Sequence, residues 1–249
     1  VALEVAAREA GLFTSVVALD RFGPDDVASA FDHFSSLAAE AIVVIAPVDS
    51  LAEAVASQGA SVPVIAVSGG RTFGRGVSVV HADQRGGARA LAEHLTTLGH
   101  RDIACVAGPQ EWFEARERVA EWREAMVQAG LPMREPLVGS WEARWGYVAG
   151  QKLVEDGLPD AVMCANDEVA VGLLRAFAEA GVSVPGDVSV AGFDDVPMAA
   201  YAGPGLTTVR QDFADLGRCA LEAVSHALDG ESVDTYVRPT RLVVRGSTG

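Results

Sequence analysis

Two pairs of acidic and amide residues stand directly behind apolar runs in this chain. Asn166-Asp167 follows AVMC at 161–164, and Asp194-Asp195 follows VSVAGF at 188–193. A carboxamide donates and accepts at once, and a carboxylate can accept from two hydroxyls, so this set suits gripping a polyol. Adjacent carboxylates could also suggest acid–base catalysis. Neighbours on an extended chain point to opposite sides, however, so Asp194 and Asp195 make a poor catalytic pair. One carboxylate holding two hydroxyls is the more economical reading, set against a plain turn with a helix cap. For Asp167 alone the cap is preferred, and Asn166 is the ligand candidate.

Further candidates come from an arginine pair and from aromatic residues. Arg116 and Arg118 lie near the start of a helical pattern after Gly108-Pro109. Most arginines are solvated, and Arg116 is singled out because its turn follows a strand end. Trp141 and Trp145 lie in GSWEARWGY. An indole beside a cleft can stack on the apolar face of a sugar ring. Trp145 has helix-face spacing and reads as core, whereas Trp141, just before the helix, fits pocket and core equally. Phe213, after Gln211-Asp212, could cover the other face of a ligand or pack in the core. The five histidines show no HExxH or paired metal spacing, so no zinc site is expected. GxSxG, GxxxxGK and GxGxxG are all absent, so neither nucleophile nor cofactor fingerprint is present and no cofactor is expected. Gly69-Gly70, Gly74 and Gly76 read as turn glycines.

These groups need a scaffold, and the composition bounds it. The 249 residues are 49% hydrophobic, enough for one large core or two smaller ones. No apolar run approaches the roughly 20 residues that span a bilayer. The chain opens at Val1 inside an amphipathic pattern, without the form of a secretory leader. A net charge of −15 repels phosphate, so these residues alone are not expected to bind nucleic acid. Lys152 is the only lysine, which leaves little material for Schiff-base or Walker-type chemistry. Cys105, Cys164 and Cys219 form no CxxC and read as buried, reduced thiols of a cytoplasmic protein.

Strand and helix patterns alternate from end to end. Apolar runs at 15–19, 41–45, 62–67 and 77–80 read as strands, with helices at 2–10, from Pro24, and from an Asp49-Ser50 cap to Gln58. A second series follows. Ala88, Leu91, Leu95 and Leu98 share one helical face, and Ala115, Val119, Trp122, Met126 and Ala129 share another. Strands are read at 103–107, 161–164, 188–193 and 242–245, and helices around Trp145 and at 169–180 and 213–228. Strands separated by helices imply parallel sheets covered on both faces. The series is long for one sheet, so the fold expected is α/β, with two doubly wound parallel-sheet lobes joined by crossovers.

Several segments resemble the LacI/GalR family of bacterial transcriptional regulators over nearly the whole chain. They are DQRGGARALAEHLTTLGH from Asp83, IACVAGP, CANDEVAVGLLRAFAEAGVSVPGDVSVAGFDD, PGLTTVRQDFADLG and the closing LVVRGST. The resemblance implies a periplasmic-binding-protein type I core with a first lobe of 1–81 plus 210–240 and a second of 82–209 plus 241–249. It implies a sugar or sugar derivative bound in the interlobe cleft, with Arg116, Trp141, Asn166, Asp194 and Phe213 as contacts. It also implies a homodimer and binding rather than catalysis, with operator DNA reached through a headpiece. That helix-turn-helix, the hinge helix and the first core strand are absent from the pattern, which begins inside what resembles the first core helix; further upstream residues are expected in the native protein. A transporter's sugar-binding protein with the same fold is the alternative.

Overall fold

The computed structural model describes residues 2–19, 21–69, 73, 76–231 and 235–249. Gly70 and Gly74 lie outside them, while Gly76 has the positive φ of +89° that its turn reading requires. Helices α1 (Ala2–Glu9) and α2 (Pro24–Ser36) precede strand β1 (Ile42–Ile45). Then come α3 (Asp49–Ser57), β2 (Val64–Val67), β3 (Val77–Ala82) and α4 (Gln84–Thr97). The chain continues through β4 (Ile103–Ala107), α5 (Phe113–Gln128), β5 (Leu137–Val138), α6 (Ala143–Asp156), β6 (Ala161–Cys164) and α7 (Asp167–Glu179). It closes with β7 (Ser189–Ala191), a 3-10 turn (Pro197–Tyr201), β8 (Thr208–Arg210), α8 (Phe213–Leu228), β9 (Thr235–Arg238) and β10 (Arg241–Val243).

Two compact units result, Val1–Asp83 with Asp212–Arg238 and Gln84–Gln211 with Pro239–Gly249. The chain therefore crosses after Asp83, Gln211 and Arg238, each two residues from the expected positions. Pairing explains the shift. Ala82 is bonded in register with Arg238, which keeps both in the first unit. Arg210 is bonded to Arg241, which keeps both in the second.

In the first unit the strands run β1-β2-β3-β9, all parallel. Ile65 and Val80 meet Cys219, Ala220, Ala223 and Val224 of α8 in its buried core. The run 15–19, which its apolar content predicts as a strand, forms none. Val16 is exposed there, as is Phe13 just before the run. A strand exists only where a neighbour takes its N–H and C=O groups, and among the described residues no ladder joins this one. Asp49 is not a cap either. Val48 holds that position without a side-chain bond, and Asp49 lies in the first turn, where its charge suits the helix dipole.

The second unit has a parallel sheet ordered β5-β4-β6-β7 and a short antiparallel pair, β10-β8. Strands β4, β6 and β7 are buried on both faces, and alternate residues go to opposite sides. Ile103, Cys105 and Ala107 of β4 pack with Leu91 and Leu95 of α4 and with Trp122 and Met126 of α5. Ala104 and Val106 pack with Leu153 of α6 and with Leu173 and Phe177 of α7. Helices α6 and α7 approach through Gly146 and Gly172, where any Cβ would collide with backbone of the facing helix. Because β4, β5, β6 and β7 are parallel, their carboxyl ends lie along one edge. In open α/β sheets that edge is where ligands bind.

Candidate functional site

Each strand of the second unit delivers one piece of the candidate site at that edge. Gly108 follows β4, Trp141 follows β5, Asn166 follows β6 and Asp194 follows β7. Four side chains close into a ring there. Arg118 Nε donates to Gln84 Oε1 at 2.9 Å, and Gln84 Nε2 donates to Gln211 Oε1 at 2.8 Å. Gln211 Nε2 then donates to Asp194 Oδ1 at 2.6 Å, and Arg118 Nη2 reaches the same oxygen at 3.5 Å. Arg118 also donates from Nη1 to the Ala165 carbonyl, and its guanidinium lies 3.8 Å over the Phe193 ring and 5.6 Å over that of Trp141.

Electrostatics hold the ring in a charged but matched state. Arg118 is 5% exposed, and burial lowers its pKa, while the carboxylates of Asp194, Glu114 and Asp167 act the other way. Burial raises the pKa of Asp194, opposed by Arg118 and Gln211. The Asp194 side chain keeps 21% of its surface open. Asp194 and Asp195 have φ of +109° and +54°, conformations that cost about 1–3 kcal/mol each in a non-glycine residue. They are therefore not on an extended strand, yet they still diverge. Asp195 pairs with Arg210 and Arg245 at 2.5 and 2.6 Å; burial pushes its carboxyl up, but the two arginines outweigh burial and leave it below the usual range. A catalytic carboxylate pair is not formed.

Arg116, the arginine singled out from the sequence, does not join the ring. Its Nη1 donates to the carbonyls of Gln110 and Glu111 at 3.3 and 3.4 Å, and it lies over Phe113. Two positions along a helix differ by about 200° in direction, so Arg116 and Arg118 face opposite ways. Arg118 is the arginine that the fold turns inward. Asn166, rather than Asp167, is the cap of α7. Its Oδ1 accepts from the Val169 N–H at 2.8 Å, and its Nδ2 donates to the Trp141 carbonyl at 3.1 Å. One amide hydrogen and one lone pair remain beyond those bonds.

Trp141 is half-buried and packs edge to face against Trp112 at 5.6 Å. A Cβ on Gly108 would stand 2.8 Å from its ring, so the glycine is what admits the indole. Its Nε1–H is buried and has no hydrogen-bond partner among the described residues. Trp145 packs in the core instead, donating to the Ala107 carbonyl at 3.1 Å. Phe213 opens α8 of the first unit and is 46% exposed. Gln84 and Gln211 escaped the sequence reading although both lie inside segments quoted for the resemblance. Their only signal was an uncharged amide beside a helix start. Among the described residues no cluster of three His, Cys, Asp or Glu could hold a metal ion.

Residues 92–248 match the family of the periplasmic binding protein-like domain. The chain belongs to the periplasmic binding protein-like family. The Lactose operon repressor of Escherichia coli (strain K12) is 28% identical over 249 residues, covering 99% of this chain and 69% of the repressor. The HTH-type transcriptional regulator CelR of Thermobifida fusca is 37% identical over 190 residues, 73% of this chain and 56% of CelR. In three dimensions the periplasmic binding protein-like chain superposes on the Lac repressor dimer bound to operator and the anti-inducer ONPF. The TM-score is 0.88 at 28% identity, over 99% of this chain and 87% of that one. A transcriptional regulator CelR–cellobiose complex gives 0.87 at 28% identity, over 99% and 76%. Within the family this is an effector-binding core of LacI/GalR type. No helix among the described residues is long and apolar enough to cross a membrane.

Proposed function

We propose that this chain is the effector-sensing core of a sugar-responsive transcriptional regulator, acting by binding rather than catalysis. The observation that carries the reading is the closed ring of Arg118, Gln84, Gln211 and Asp194 at the carboxyl edge of a parallel sheet. Donors and acceptors alternate around it, as vicinal hydroxyls require. In this reading Asp194 and Arg118 bond the hydroxyls and Asn166 contributes its remaining amide hydrogen. Trp141 stacks on the ring, and Phe213 adds a second apolar contact. The charge of Arg118 is already matched by Asp194, with Glu114 and Asp167 also acting on it. The site therefore favours an uncharged sugar over a phosphorylated one.

The relatives supply the context for the rest of the reading. A regulator of this kind works in the cytoplasm as a homodimer and reaches its operator through a separate headpiece. The sugar acts by binding one conformation of the core more tightly than another, which shifts their populations. Calorimetric titration of the chain with neutral hexoses and disaccharides, beside their 6-phosphates, tests the site. Heat of binding from an uncharged member is expected, and silence from every sugar defeats the reading. A gel shift of the full-length gene product, with and without the sugar that binds, tests its coupling to DNA.

A further inference from the structure

Asp167 is wholly buried and stands outside the ring. Its Oδ1 accepts from the Thr208 hydroxyl at 2.5 Å and its Oδ2 from the Val196 N–H at 2.8 Å, while its own N–H donates to the Phe193 carbonyl at 2.8 Å. These bonds tie down both ends of the segment 193–196 and the strand β8 beside it. Between the tied ends lie Asp194 and Asp195, the two residues with strained positive φ. Gly192 leaves the space that the carboxylate fills, since a Cβ there would collide with Asp167 Oδ1. A strained turn persists only where its surroundings over-determine it, and here the Asp167 carboxylate adds to the bond from the Asp194 N–H to the Val209 carbonyl and to the pairing of Asp195 with Arg210 and Arg245.

We propose that Asp167 is a positioning residue, which holds the Asp194–Asp195 turn in its left-handed conformation and so aims Asp194 at Arg118 and Gln211. The inference rests on the effector reading only for the role of Asp194. A consequence for pH follows. Burial lifts the Asp167 carboxyl to about 6, the bonds from Thr208 and Val196 pull it down, and the charges of Asp194 and Asp195 push it up. The other groups facing it are Arg118 of α5, whose charge it supports, and the thiol of Cys164 on β6, which burial holds well above its usual range and hence neutral. The closed turn raises this pKa, so it favours the neutral acid over the carboxylate, and by linkage the turn tightens as pH falls through the titration of Asp167.

Residue-resolved amide exchange on the 249-residue chain tests this without any sugar, so its failure is separate from failure of the effector reading. After correction for intrinsic rates, protection of the Val196 amide should rise roughly five- to tenfold from pH 7.5 to pH 5, relative to amides of β4. Asp167→Asn, which keeps an acceptor for Val196, should retain protection and lose the pH dependence. Asp167→Ala should lose protection at both pH values. Unchanged protection in Asp167→Ala, or a pH dependence that survives in Asp167→Asn, overturns the proposal. If Asp167→Ala does not fold, the wild-type profile against that of Asp167→Asn decides alone.

Discussion

Asp194 holds its charge against one arginine and one amide, in a backbone conformation that a non-glycine residue rarely adopts. Packing does not explain that arrangement, because the side chain stays partly open. Asp194→Ala should therefore leave the fold intact and weaken sugar binding by about 1.5–3 kcal/mol, or roughly ten- to hundredfold. Titration calorimetry reads the loss, and unchanged affinity removes Asp194 from the site. Asp167 makes the complementary case. Its folded-state pKa lies near 6, above the ordinary value of 3.8. The stability that the neutral form contributes is thus complete below about 3.8 and lost as pH rises through 6. Asp167→Asn removes that loss and should gain up to about 3 kcal/mol at pH 8, less whatever its bond to Thr208 forfeits. Urea unfolding between pH 4 and pH 8 should show the difference growing with pH. A pH-independent offset would mean that the carboxyl does not titrate in this window.

Helices α6 and α7 set the height of the site, since one follows Trp141 and the other is capped by Asn166. Their separation depends on Gly146 and Gly172, where no side chain fits between the backbones. Gly172→Ala would drive a methyl group into the carbonyl of Ala143, and overpacking of this kind costs about 1–3 kcal/mol. A lowered melting temperature is expected, together with weaker sugar binding per folded molecule as Asn166 and Trp141 move apart. Gly181→Ala is the control: it lies in open space with φ of +73°, so it should cost stability through backbone strain while leaving affinity unchanged. Equal losses of affinity in both variants would show that the α6–α7 contact does not position the site.

The chain as a whole carries −15, and the buried cation at the sheet edge, Arg118, is already matched. Residues 1–249 alone should show no sequence-specific DNA retention at physiological salt, and tight binding in a gel shift would contradict the electrostatic argument. If the full-length regulator couples sugar to operator, the coupling must be reciprocal: operator DNA shifts sugar affinity by the same factor as sugar shifts operator affinity. Measuring both factors in one buffer checks this, and unequal factors rule out a two-site linkage.

The α/β class and the strand-end position of Asn166 and Asp194 were legible in the sequence. Each follows from local rules, namely apolar runs of strand length, glycine stops and polar residues directly after a run. Where the rules needed a partner they failed. The run 15–19 has strand composition, yet a strand is a relation between two segments and among the described residues no ladder reaches it. The choice between Arg116 and Arg118 turned on which face of α5 meets the sheet, a direction that residue type does not encode. Gln84 and Gln211 are 127 positions apart and acquire their meaning only when the fold brings their amides to 2.8 Å. The sequence by itself determined which elements form and which residues stand at their ends, because those depend on neighbours along the chain. Only the tertiary structure decided which of those residues touch, because hydrogen-bond partners are chosen by distance in space.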